Sequence, residues 1–297
     1  MSVFLRIQDG FYFARDLPLR VFNLIFRILG RKSVFSSDAS KSDSDSTYYS
    51  RFVDSAITSE SIFKNFRRNF YYRQILEHVD YELGFQYLSR LSKQSIQDLK
   101  RFPDVVKLSS VGSPRRYFFG GLGLISPTVI RYQYVCQELQ ALFGDSIGEN
   151  VVEIGVGFGG QFAVLSKTFE FDKYTMFDLP QVMKLTHKVL DSAGVDGSMI
   201  EDGDIDNPTL SSCDLVISNY AFSELPRGLQ KMYIEGVMAK SHRGYLIMNS
   251  GKTDISGRSS GKYTLEDLRG VLPAFEIFEE VPLTGPDNYV IVWGHSQ

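Results

Sequence analysis

Hydrophobic and polar positions change period near residue 148. Before that point the apolar residues recur at helical spacing. Ile62, Phe63, Phe66 and Phe70 form one stripe, and Ile75, Leu76 and Val79 another, which predicts helices over 51–110 with these residues in the core. Residues 111–128, VGSPRRYFFGGLGLISPT, break the period with Gly and Pro and predict a structured loop. A helix is expected from about 127 to 143, and FGDSIGEN then turns the chain. Further upstream, LPLRVFNLIFRIL (17–29) is helix-compatible and apolar on most faces, and 33–50, with eight Ser, reads as a flexible linker.

From 151 onward short apolar runs alternate with amphipathic ones. VVEIGV (151–156), KYTMFDL (173–179), a weaker segment at 198–201, DLVISN (214–219) and GYLIMN (244–249) read as buried strands. Helices are expected between them at 160–168, 180–194 and 226–240, the second opening on Pro180 and closing on Gly194. FEIFEEVPL and NYVIVWG predict a final hairpin-like pair that adds an antiparallel edge. The expected fold class is therefore α/β, a Rossmann-like parallel sheet with an antiparallel C-terminal strand, preceded by a mainly helical cap. The expected organisation is 1–50 as apolar helix and linker, 51–148 as helical cap, and 149–297 as the sheet domain.

Composition sharpens the division. The chain has 297 residues and a net charge of −3. Residues 1–149 carry 20 Lys and Arg against 15 Asp and Glu, whereas 150–297 carry 12 against 20. The first part also holds 25 of the 40 aromatic residues. Two parts this different in charge and aromatic content are expected to do different jobs. Cys136 and Cys213 are the only cysteines, with no CxxC, which predicts neither a disulfide framework nor a structural zinc and fits a cytoplasmic setting. No run of 18 uncharged apolar residues predicts a spanning helix, and the first residues, interrupted by Arg6, Asp9, Arg15 and Asp16, do not read as a signal peptide. Two uses suit residues 1–32: packing against the body or a second subunit, or lying at a membrane surface.

The strongest chemical signal is Glu153-Ile-Gly155-Val-Gly157-Phe-Gly159-Gly160, directly after a buried strand, with Asp178 at the end of the next strand. Glycines there let the backbone turn and a ligand approach, and an acid at the second strand end can accept from ribose hydroxyls. No Lys or Arg occurs between 151 and 166 to pair a pyrophosphate, and Glu153 disfavours one. S-adenosylmethionine (SAM), a sulfonium without phosphate, suits this acidic strand end better than a dinucleotide. Other motifs fail on spacing. Ser250-Gly251-Lys252-Thr253 lacks the P-loop glycine, which is Leu246. Asp202, Asp204 and Asp206 lack the calcium-loop glycine and terminal glutamate, replaced by Asn207 and Cys213. His78, His187, His242 and His295 form no zinc-hydrolase pattern.

EIGVGFGG, FDLP, EDGDI and DLVISN, in this order, resemble the successive motifs of class I SAM-dependent methyltransferases. GSPRRY (112–117), LISPTVIRY (124–132), VVEIGVGFGGQ (151–161), YTMFDLPQVMKL (174–185), SNYAFSEL (218–225) and GYLIMNSG (244–251) resemble the bacterial sugar O-methyltransferase family. That family often has Gly-Asn-Pro where this chain has Gly112-Ser113-Pro114. The resemblance implies that Glu153, Gly155, Gly157 and Gly159 cradle the methionine part of SAM, with Gln161 near its carboxylate. It implies that Asp178 holds the ribose and Asp204, or failing it Asp202, meets the adenine amino group.

Methyl transfer from a sulfonium needs chiefly an aligned acceptor oxygen, and orientation can supply about 7–11 kcal/mol. A sugar hydroxyl is weakly acidic, so a general base adds roughly 10²–10⁴-fold. Asn219, Tyr220, Ser223 and Glu224 follow the fourth strand, where ligands of open α/β sheets bind. Glu224 is the expected base, His187 the alternative, and Asn219 and Tyr220 the expected positioning residues. Arg115, Arg116 and Tyr117 are expected to lid the site over an anionic acceptor such as a nucleotide sugar. A divalent metal suits the chemistry, but no ligand set supports one. The expected acceptor is a sugar-containing small molecule or glycan. A phenolic acceptor is the first alternative, and a non-catalytic binding subunit the second. Nucleic acid is not expected as a partner, since no NPPY-type segment follows the fourth strand and the basic excess is modest.

Overall fold

The computed structural model describes residues 47–252 and 261–295. The apolar segment 17–29 and the expected uses of 1–32 lie outside the described residues. The helical part consists of α1 (Thr47–Thr58), α2 (Glu60–Phe63), a 3-10 turn at Phe66–Arg68, α3 (Phe70–Ile75), α4 (Tyr81–Leu88), α5 (Lys93–Arg101) and α6 (Pro103–Leu108). Local chemistry sets these starts. Asn69 accepts from the N–H groups of Tyr71 and Tyr72, Asp80 from Leu83 and Ser92 from Ser95, each satisfying donors that a helix start leaves open. α1 begins at Thr47, inside the segment expected as linker to residue 50. Its serine-rich composition hides the side chains that dock it: Ser50 Oγ accepts from Gln181 at 3.0 Å, and Val53 and Ala56 are fully buried.

The Gly/Pro segment is more ordered than a loop. β1 (Tyr117–Phe119) and β2 (Gly123–Ile125) pair antiparallel, Phe118 opposite Leu124. α7 (Pro127–Phe143) follows, within the expected bounds.

The rest is the expected alternation: β3 (Asn150–Ile154), α8 (Gly160–Thr168), β4 (Lys173–Phe177), α9 (Pro180–Ala193), β5 (Ile200–Asp202), β6 (Cys213–Asn219), α10 (Ala221–Glu224), α11 (Arg227–Gly236), β7 (Ser241–Met248), α12 (Leu265–Arg269), β8 (Glu276–Glu279) and β9 (Tyr289–Trp293). The seven strands β3–β9 form one sheet in the order β5-β4-β3-β6-β7-β9-β8. β3 to β7 are mutually parallel, and β9 runs antiparallel to both β7 and β8. This is a Rossmann-like α/β sheet with an antiparallel strand and a helical N-terminal region.

The final pair adds the antiparallel edge that the sequence suggested, with the later strand innermost. β9 inserts between β7 and β8, which leaves β8 at the rim and parallel to β7. The apolar run YVIVW is buried throughout, as a strand flanked on both sides must be, whereas EIFE is mostly exposed. Gly244, opposite Trp293, makes the insertion fit: a Cβ there would lie 2.1 Å from the indole ring.

One apolar core runs from Tyr49 and Val53 through Tyr72, Leu108 and Val129 to Val151, Ile217 and Val292. The change of period near 148 is thus a change of secondary structure inside continuous packing. Chain order reverses between β3 and β6: β4 and β5 lie to one side, β7, β9 and β8 to the other. In open α/β sheets the carboxyl ends at such a reversal bound the ligand crevice.

Candidate active site at the carboxyl edge of the sheet

The glycine loop leaves β3 with positive φ at Gly155 (+80°), Gly157 (+58°) and Gly159 (+78°). At Gly155 close approach adds to backbone geometry, since a Cβ would lie 2.0 Å from that of Ala221 at the start of α10. The loop is therefore pressed against the segment that follows β6. Gly155 N–H donates to Phe177 O at 2.8 Å, and Thr186 Oγ1 donates to Gly157 O at 2.8 Å. Asp178 braces it further, with Oδ2 accepting from Val156 N at 2.9 Å and Gly157 N at 3.1 Å. Its Oδ1 accepts from Leu179 N at 2.8 Å. This carboxylate thus stands at the rim of the loop, oriented by three backbone N–H groups.

Two residues expected to line the loop are buried beneath it. Glu153 is 1% exposed and takes the face of β3 shared with Val151, where Tyr174 Oη donates to its Oε2 at 2.8 Å. Burial pushes its carboxyl up to about 8, partly offset by the Tyr174 hydrogen bond. It is therefore largely neutral near pH 7, and the negative charge read from its sequence position does not face a ligand. Gln161 is fully buried; its Nε2 donates to Tyr132 O at 3.3 Å and its Oε1 accepts from Asn219 Nδ2 at 3.4 Å. It acts on the site through Asn219, whose Oδ1 is buried without a hydrogen-bond partner. Such an orphaned acceptor beside the loop suits a donor group on a ligand.

The segment after β6 is tightly held. Tyr220 has φ +72°, a strained value for a side chain of its size. Its Oη donates to Glu280, which also accepts from Thr284 N and Asn288 Nδ2. Glu224, half-buried, accepts from Asn249 Nδ2 at 2.8 Å. Ser223 ties both segments, its Oγ lying 2.8 Å from Asn249 Oδ1 and accepting from Asn249 N. Past β5, Asp204 is exposed and accepts from Asp206 N at 3.0 Å. Asp202 is occupied by His187 Nε2 at 2.8 Å, a contact that ties α9 to the end of β5.

Tyr117 does not form a lid. It is 1% exposed, its ring 5.5 Å from that of Tyr81, because alternation along β1 turns it inward and Phe118 outward. Arg115 and Arg116 are half-buried just before β1.

Two basic residues escaped sequence reasoning. Arg67 is fully buried, ion-paired with Glu77, donates to Leu108 O at 2.9 Å, and lies 4.0 Å from the ring centroid of Phe158 in the glycine loop. Arg131 is 6% exposed on α7. Its Nη1 lies 3.3 Å from His78 Nε2, and its guanidinium packs over the rings of Tyr132 (5.3 Å) and Tyr220 (5.4 Å). Its Nε has no partner. The available signal was PTVIRYQYVC itself, a run too apolar to leave its arginine on a solvent face. His78 is exposed, with its ring 6.1 Å from that of Tyr220. Desolvation, then the Arg131 charge, pushes it down to about 4, so it is neutral near pH 7.

Among the described residues, no cluster of three or more His, Cys, Asp or Glu is placed to hold a metal, and no helix is long and apolar enough to cross a membrane. No protein-family model matches the chain, nor does any curated protein sequence. Solved structures similar to it include the mitomycin 7-O-methyltransferase MmcR, at 13% identity and TM-score 0.40 over 55% of this chain and 56% of that one. An O-methyltransferase family protein from Burkholderia thailandensis matches at 13% identity and TM-score 0.42, over 56% of each chain. A SAM dependent methyltransferase from Aquifex aeolicus matches at 13% identity and TM-score 0.39, over 68% of this chain and 98% of that one. The match thus spans little more than half the length of the first two.

Proposed function

We propose that this chain is a SAM-dependent O-methyltransferase whose acceptor is a hydroxyl of a sugar, in a nucleotide sugar, polysaccharide or glycoside. The observation that carries the reading is the glycine loop at the sheet's reversal point, braced by Asp178 and without a basic residue from 151 to 166 to pair a pyrophosphate. Asp178 at the end of β4 and Asp204 beyond β5 are suited to ribose hydroxyls and an adenine amino group. Asn219 Oδ1 is suited to an ammonium. When bound, SAM supplies an electrophilic methyl on a sulfonium. Glu224, held by Asn249, takes the proton of the acceptor hydroxyl, while Asn219 and Tyr220 position the reactants and Arg115 and Arg116 meet an anionic acceptor.

Calorimetry with SAM and with NAD tests the cofactor. SAM is expected to bind, and Asp178→Ala to weaken it at least about tenfold by removing a charge-assisted acceptor. Binding of NAD alone would refute the reading. Mass spectrometry of nucleotide sugars and cell-surface glycans, with and without the protein, then tests the acceptor through the mass of one methyl group. A phenolic acceptor is the second reading, favoured by the rings of Tyr132 and Tyr220 around Arg131. It predicts that methylation appears on an aromatic hydroxyl and on no glycan.

A further inference from the structure

Arg131 stands out by what it lacks. A guanidinium carries five N–H donors and keeps its charge, and burying it uncompensated is costly. The other deeply buried arginine, Arg67, also leaves one nitrogen, Nη2, without a partner, but its charge is balanced by Glu77 and it donates to backbone carbonyls. Arg131 has only a neutral imidazole at 3.3 Å and two tyrosine rings, with Nε unpartnered. No carboxylate within ion-pair distance balances it among the described residues. Glu280, the acid nearest in character, is instead occupied by Tyr220, Thr284 and Asn288.

Its position is equally informative. Arg131 lies near the start of α7 and packs on Tyr220, at the carboxyl end of β6. Asp178 and Asp204 lie across the reversal point, beyond β4 and β5. The positive charge thus sits opposite the acidic half of the crevice, with His78 beside it, 6.1 Å from the Tyr220 ring.

We propose that Arg131, with His78 beside it, forms a carboxylate-binding subsite at the carboxyl end of β6. A carboxylate there would accept from the guanidinium, whose Nε has no protein partner, and supply the missing countercharge. Two molecules could bring it: the amino-acid end of the cofactor, in which case the proposal rests on the SAM reading, or an acidic sugar acceptor.

Calorimetry on the full chain and on Arg131→Met separates these sources with three probes: S-adenosylhomocysteine, 5′-methylthioadenosine, which lacks the carboxylate, and glucuronate. The substitution is expected to weaken S-adenosylhomocysteine or glucuronate at least about tenfold, as expected for loss of a charge-assisted pair, with 5′-methylthioadenosine unchanged within about twofold. Loss confined to S-adenosylhomocysteine assigns the cofactor's carboxylate, and loss confined to glucuronate assigns the acceptor's. Arg131→Lys keeps the buried charge and serves if the methionine variant does not fold; it is expected to weaken the same probe by losing the forked geometry. Unchanged affinity for both carboxylates in the variants overturns the proposal. If the wild-type chain binds neither adenosine compound, the SAM reading fails instead, and the glucuronate arm still decides the subsite.

Discussion

The guanidinium of Arg67 lies 4.0 Å from the ring centroid of Phe158, so a side chain of the helical region presses directly on the glycine loop. Arg67 is in turn fixed by Glu77, whose second oxygen accepts from Thr128 at the start of α7. Thr128, Glu77 and Arg67 therefore form one chain of contacts that ends on the loop.

Breaking this arrangement should be felt in two readouts. Arg67→Met leaves the Glu77 carboxylate buried without its partner, and such losses cost about 3–5 kcal/mol. Urea denaturation should show that loss. Calorimetry on the folded variant should show weaker SAM binding, because Phe158 loses its support. Unchanged stability would mean that Glu77 finds water or another donor.

Gly155→Ala should be among the most damaging single-methyl additions in the chain. It meets Ala221 at 2.0 Å and forces a side chain to φ +80°. Overpacking costs about 1–3 kcal/mol, and the left-handed backbone about 1–2 kcal/mol more. Combining it with Ala221→Gly should recover only the steric part, leaving the backbone penalty. Thermal melts of the two single variants and the double variant measure the split. Full recovery would show that backbone conformation contributes nothing.

Glu153 should make stability fall with rising pH. Its folded pKa, about 8, lies above its unfolded value of about 4.3, so the folded chain keeps a proton that the unfolded chain releases. The contribution is fully present below about pH 4, shrinks as pH rises, and is gone above about pH 8. Glu153→Gln keeps an acceptor for Tyr174 and removes the titration. Relative to the wild-type chain it should gain stability steadily between about pH 5 and 8, by a few kcal/mol in all. Melting temperatures at three pH values test this, and a constant gap would show that the carboxyl is not protonated in the fold.

Glu224→Gln should leave SAM affinity unchanged and lower turnover roughly 10²-fold or more, the contribution expected of a general base. Glutamine can still bond Asn249, so the segment after β6 should stay in place. Single-turnover kinetics with the acceptor found by mass spectrometry supplies the measurement, and full activity would remove Glu224 from that role.

Much of the frame was legible because local chemistry writes it. Pro127 and Pro180 mark helix starts, Gly194 marks a helix end at φ +80°, and glycines after a buried strand mark the loop. The site was less legible because burial depends on which way a strand faces and on what arrives from afar. Glu153 looked like a charge at a strand end, but period-two alternation sends it into the core against Tyr174. Gln161 looked like a ligand contact and proves to support Asn219 from below. Arg67 and Arg131 gave little local sign of importance, since their partners at Phe158, His78 and Tyr220 lie 53 to 91 positions away in the chain.

The place of β9 between β7 and β8 makes the rim strand depend on it. β8 precedes β9 in the chain, yet β9 is its one link to the described sheet. The connection between the two strands carries Glu280 and Thr284, which anchor Tyr220. The Tyr220 side of the crevice is therefore held by chain from the far rim of the sheet, whereas the glycine loop and Asp178 are held by β3 and β4 in its middle, so the two halves of the site rest on separate supports.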